Sequence, residues 1–182
     1  MPADRMNPEE RALLEALDGM LRSQPIRDQI DPIVERNLAS EPTAAMAWEP
    51  IPLSVFGEAL PALIQSSWVF ILRAGATTGA ERHPSSHQRM MSYRATGDLQ
   101  TGGEGKWQSH PLVSDPGASL EKCWISVPPN VWHQAVVADR DWVVISFHTV
   151  PAHELIEERP ADEDSGRTRQ RHYVAADAFW NR

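Results

Sequence analysis

Residues 79–97 read GAERHPSSHQRMMSYRATG, and the rest of the chain is organised around this stretch. His83 and His87 stand four residues apart beside Glu81, on the run into a segment of strand composition. A third histidine, His133, follows in VPPNVWHQAVV. Imidazoles near strand edges, punctuated by Gly and Pro, point to a candidate metal pocket inside a small β-barrel.

Working outward, Trp68 to Arg73 (WVFILR) is β-branched and aromatic enough for a buried strand. Gln88 to Thr96 reads as the next strand, closed by Gly97-Asp98. Gly102, Gly103 and Gly105 make a turn before Lys106-Trp107-Gln108, and Pro111 to Ser119 reads as a loop around Asp115-Pro116-Gly117. Three short strands are then expected: Leu120 to Val127, Val131 to Ala138 and Trp142 to Val150. Pro128-Pro129-Asn130 and Asp139-Arg140-Asp141 separate them. Short strands at close spacing indicate an antiparallel sandwich or barrel.

Upstream, residues 7–39 have helical character. Asn7 can cap, Pro8 suits the first helical position, and Glu10 falls where a capping-box acid belongs. Leu13, Leu14, Leu17, Met20 and Leu21 recur at helical spacing, and a second helix is expected from Asp31-Pro32 with Ile33, Val34 and Leu38. Each apolar face needs a surface; packing on the barrel is expected ahead of a dimer contact or a pocket lid. The expected organisation is a helical extension over 1–46, a barrel over 47–152 and a charged tail over 153–182. Tyr173, Phe179 and Trp180 are expected to dock the end of that tail.

The bulk properties narrow the function classes. The 182 residues suit one domain with its own core. A net charge of −8 repels a phosphate backbone, and the only basic cluster, Arg167, Arg169, Arg171 and His172, follows the acidic run Asp162, Glu163, Asp164. Nucleic acid is therefore not an expected partner. The single cysteine, Cys123, excludes an intrachain disulfide and fits a reducing compartment. The opening residues MPADRMNPEE lack an apolar signal core, and no apolar run approaches the roughly 18 residues of a membrane span. A cytoplasmic protein acting on a small molecule is expected, with a homodimer suggested by exposed edges and helix faces.

The pattern resembles the cupin superfamily. Gly79, His83, His87 and Gly97 are similar to the first cupin block; Pro128, Asn130 and His133 are similar to the second, with Asn130 standing where a turn glycine is usual. Asn tolerates the left-handed conformation better than most residues. The resemblance covers about residues 67–150 and implies a double-stranded β-helix barrel; with the helices read from residues 7–39, the expected fold is mainly β with an N-terminal α-helical extension. The histidines are four apart rather than two, and the acid position falls on Met90 counted from Gly97, or on Gln88 counted from His83. The first-choice metal ligands are His83, His87 and His133, with Glu81 as the competing ligand.

Neutral imidazoles suit Fe, Ni, Zn or Cu and leave coordination positions open. The resemblance implies a metal-dependent enzyme on a small organic substrate, most concretely a non-haem Fe(II) dioxygenase, with Zn, Ni or Mn as other candidate metals. A non-catalytic ligand- or metal-binding cupin and a metal-free isomerase or epimerase with a histidine base are the alternatives. Arg89 and Tyr93 share strand parity with His87 and are candidates for carboxylate binding and catalysis. If Gln88 and Met90 face inward instead, Arg89 does not. His148 is a candidate acid/base group, and Gln88 and Trp132 are candidate substrate contacts. His110, His153 and His172 read as ordinary surface or core residues, and Cys123 as a buried inert thiol.

Overall fold

The computed structural model describes residues 6–40, 44–103, 105–161 and 167–172. Two helices come first, α1 (Pro8–Arg22) and α2 (Gln24–Leu38). The strands are β1 (Met46–Pro50), β2 (Ser66–Leu72), β3 (Gln88–Arg94), β4 (Thr96–Gly103), β5 (Lys106–Val113), β6 (Trp124–Val127), β7 (Trp132–Val136), β8 (Trp142–His148), β9 (Ile156–Pro160) and β10 (Thr168–His172). A helical turn, α3 (Leu120–Cys123), leads into β6.

The strands build two walls. One is a five-stranded antiparallel sheet in the order β1-β2-β8-β3-β6. The other begins with β5-β4-β7 and continues through residues 77–82, which bridge to β7 at Thr77↔Val136 and Glu81↔His133 and to β9 at Arg82↔Glu158. Residues 77–82 thus stitch the β10-β9 pair onto the second wall.

Both faces of the five-stranded wall are buried, which explains the unbroken apolar run of β2. Its inward residues Trp68, Phe70, Leu72, Trp142 and Val144 meet Leu99, Leu112, Ala135 and Leu155 of the second wall and its flank. Its outward residues Val69, Ile71, Val143, Ile145 and Phe147 meet Leu14, Leu17, Leu21, Ile30 and Val34 of the helices. The helices therefore pack on the barrel, as their amphipathic pattern requires. Their apolar faces are consumed there, which removes one reason for expecting a homodimer.

Polar pins fix the helix pair. Asn7 Oδ1 accepts from the Glu10 amide. The Trp124 indole donates to Asp18, and the Tyr93 hydroxyl donates to Asp31. Glu10 accepts from buried Arg89 through both carboxylate oxygens at 2.8 Å.

Several expectations are corrected. α2 starts at Gln24, with Pro25 in its first turn, so Pro32 lies inside the helix rather than at its start. Residues 120–123 form α3 rather than a strand, although Cys123 is buried as expected. Pro111 lies within β5, because β5 is an edge strand where a missing N–H is tolerated. In the charged tail, Leu155, Glu157 and Glu158 are buried, and β9 belongs to the second wall. Tyr173, Phe179 and Trp180 lie outside the described residues. No described helix is long and apolar enough to cross a membrane.

Candidate metal centre

The turn at Pro84-Ser85 decides the site. The chain leaves the second wall at His83 and enters the first at Gln88, and in crossing it separates the two histidines. His83 stays inside the barrel, buried. His87 emerges on the outer face, where its Nε2 lies 2.7 Å from Ser126 Oγ and its Nδ1 accepts from Arg89. With both nitrogens engaged there, His87 is not among the inner donors, and the first-choice set is corrected.

Glu81 takes the vacated place. The ligating atoms of Glu81, His83 and His133 all lie within 4.8 Å of one another. Glu81 and His133 are directly opposed across the bridge between residues 77–82 and β7, with each amide donating to the other's carbonyl at 2.9 and 2.8 Å. Backbone pairing therefore sets their approach, and Glu81 Oε1 stands 3.6 Å from His133 Nε2.

Both imidazoles are oriented by backbone carbonyls. His83 Nδ1 is 3.0 Å from the Ile156 carbonyl, and His133 Nδ1 is 3.1 Å from the Val131 carbonyl. A carbonyl only accepts, so each Nδ1 carries a proton and donates it. Metal-ligating histidines are held in the same way. His133 Nε2 is buried and makes no hydrogen bond to a described residue. Orphaned buried nitrogens are rare, and a cation in this cluster would satisfy it.

The electrostatics match a cation site. Burial works to raise the Glu81 carboxyl, but His133, His83 and Arg159 outweigh it and hold it at about 2. Burial, reinforced by His133, pushes His83 down. An ionised Glu81 and a His83 pushed towards its neutral form suit metal binding. Arg159 also donates to Glu81, Glu157 and the Thr78 carbonyl, fixing the carboxylate from behind. The residues present thus fit a divalent metal held by Glu81, His83 and His133.

His148 lies next to this cluster, not on the surface. Its ring meets His83 edge-on at 5.1 Å, with Nδ1 3.1 Å from Ser86 Oγ and Nε2 3.2 Å from Ser146 Oγ. Burial, then the neighbouring His83 and His133, pushes it well below the ordinary imidazole value. Arg89 and Tyr93 point away from the cluster: Glu10 and Asp31 on the helices supply the partners that turn them outward. Trp132 also lies on the face of β7 opposite His133, where the Arg82 guanidinium covers its ring at 4.6 Å. Gln88 faces inward.

A small cavity of about 30 Å³ adjoins the cluster. Glu81, His133, Gln88 and Thr78 are its polar lining, and Phe70, Leu72, Met90, Leu99, Ala135 and Val144 make most of the rest. Sequence reasoning did not assign Met90 and Leu99 to this wall, because parity alone left the register open.

No family model matches the sequence, and no curated protein does. Solved structures do match. Coconut allergen cocosin superposes with a TM-score of 0.51 at 14% identity, over 72% of this chain and 33% of that one. An oxalate oxidase in complex with the substrate analogue glycolate gives 0.47 at 11% identity, over 62% and 55%. An oxalate decarboxylase formate complex from Lactobacillus farciminis gives 0.44 at 13%, over 59% and 29%. The chain spans about half the length of the oxalate oxidase and about a third of the others. At these identities the likeness is one of fold: it agrees with the cupin-like β-barrel that the two blocks implied, and the N-terminal helices answer the spacing of residues 7–39.

Proposed function

We propose that this barrel binds one divalent transition metal on Glu81, His83 and His133 and acts on a small organic substrate in the adjoining cavity. The carrying observation is the convergence of these three donors within 4.8 Å, with His133 Nε2 unsatisfied. Two imidazoles and one carboxylate are the donor set of non-haem Fe(II) oxygenases, so an iron-dependent oxygenase is the most concrete reading. The three-histidine version gives way to this set. A bound metal would supply Lewis acidity and one-electron chemistry with dioxygen.

The chain's own residues supply the setting. The Ile156 and Val131 carbonyls hold the imidazole rings, and Arg159 orients Glu81. Apolar side chains line the approach to Glu81 and His133. His148 buttresses the His83 ring through their edge-on contact, a positioning role rather than a direct one.

Anaerobic reconstitution with Fe(II), elemental analysis and an oxygen electrode test this reading against a panel of small organic compounds. Near-stoichiometric iron and compound-dependent oxygen uptake are expected, with both lost in His133→Ala. Failure to take up metal, as isolated or after reconstitution, would overturn it.

A further inference from the structure

Strand β9 sends its two buried glutamates to opposite sides. Glu157 and Arg159 share one face, and Glu158 takes the other, as alternation along a strand requires. Glu158 accepts from Arg82 at 2.5 Å and from Gln170. Glu157 is 1% exposed and accepts from Arg159 Nε at 2.6 Å and from Arg171 Nη2 at 2.9 Å. Arg171 stands directly opposite Glu157 on β10.

Arg159 links this carboxylate to the candidate metal centre. Each of its three nitrogens has a partner: Nε donates to Glu157, Nη1 to the Thr78 carbonyl at 2.9 Å, and Nη2 to Glu81 Oε2. A planar fork held at three points keeps one orientation. With Oε2 so engaged, Glu81 turns Oε1 toward His133 Nε2, 3.6 Å away. Glu81 is thereby set to offer a metal one oxygen rather than two.

Two consequences of losing Glu157 run in the same direction. Arg159 Nε would lose its acceptor, and its side chain is 29% exposed, so water would compete for the released guanidinium. Glu81 and Glu157 also balance Arg159 and Arg171 in charge. Removing one carboxylate leaves an excess positive charge beside an incoming cation. Lost aim and added repulsion both weaken a metal.

We infer that Glu157 is a positioning residue of the metal centre: through Arg159 it fixes Glu81 as a one-oxygen ligand, and through Arg171 it ties that geometry to the β9-β10 hairpin. This role rests on the metal site proposed above and extends it beyond the three donors.

Co(II) titration followed by visible absorption tests it, with urea unfolding of the same proteins. Glu157→Gln is expected to bind Co(II) about tenfold more weakly than the parent, with an altered ligand-field band, as loss of an outer partner of a metal ligand typically does. Glu158→Gln removes the neighbouring buried carboxylate but leaves Arg159 and Glu81 untouched; it is expected to lower stability and keep the parent's Co(II) affinity. The double variant Glu157→Gln/Arg171→Gln restores the charge balance, and is expected to unfold near the parent's midpoint while still binding Co(II) more weakly. Unchanged affinity in folded Glu157→Gln, full recovery of affinity in the double variant, or an equal loss in Glu158→Gln would each overturn this role alone. A parent protein that takes up no Co(II) would overturn the metal reading, and this role with it.

Discussion

Gly97 sits where a side chain would collide with the Trp142 indole: a Cβ at this position would come within 2.0 Å of the ring. The indole has little room to yield, because its Nε1 donates to buried Ser92 at 2.8 Å. Gly97→Ala is therefore expected to cost about 3 kcal/mol, measured by denaturant unfolding, whereas an unchanged midpoint would show that the indole yields. Asn130 has φ 66°, the left-handed conformation that its place in the second block implied. Asn130→Val should cost about 1–2 kcal/mol and Asn130→Gly almost nothing, a comparison thermal unfolding can make. These two residues were legible because backbone demands leave a mark on residue type. The choice between Glu81 and His87 was not, since Pro84-Ser85 changes walls and the even spacing of His83 and His87 stops implying a shared face.

Helix α1 is latched to the barrel through a charged pair. Arg89 is 3% exposed, and Glu10 is its carboxylate partner, with Ser126 donating to the same acid at 2.6 Å. Removing one member of a buried pair strands the other charge, so Glu10→Ala is expected to cost about 3 kcal/mol, and replacing both Glu10 and Arg89 by Met should recover much of it. Burial works to raise the Glu10 carboxyl, but its hydrogen bonds with Arg89 and Ser126 outweigh this and its pKa is lowered. A lowered folded value gives stability that is fully present above the unfolded value of about 4.5 and is lost as pH falls through the folded one. Acid titration of stability should show this loss below about pH 4.5 in the parent and a smaller one in Glu10→Ala; identical curves would remove Glu10 from the account. At this scale the amphipathic spacing made α1, the second half of α2 and their packing legible, and β2, β7 and β8 were visible in composition. β9 was hidden because its glutamates read as solvated. They are buried because Arg82, Arg159 and Arg171 neutralise them.

Across the whole molecule, two antiparallel walls enclose the candidate site, and each proposed ligand depends on the joint between residues 77–82, β7 and β9. Glu81 faces His133 across one bridge, and His83 is held by a carbonyl of β9. The cupin-like barrel was readable from its two blocks; the depth of the C-terminal contribution was not, because it arises from pairing between segments about 75 residues apart. The most direct test compares metal content after identical Fe(II) reconstitution in the parent, Glu81→Ala, His133→Ala and His87→Ala. The account predicts near-stoichiometric metal in the parent and in His87→Ala, and loss of at least about tenfold in affinity in Glu81→Ala and His133→Ala. Metal retained in Glu81→Ala but lost in His87→Ala would contradict it.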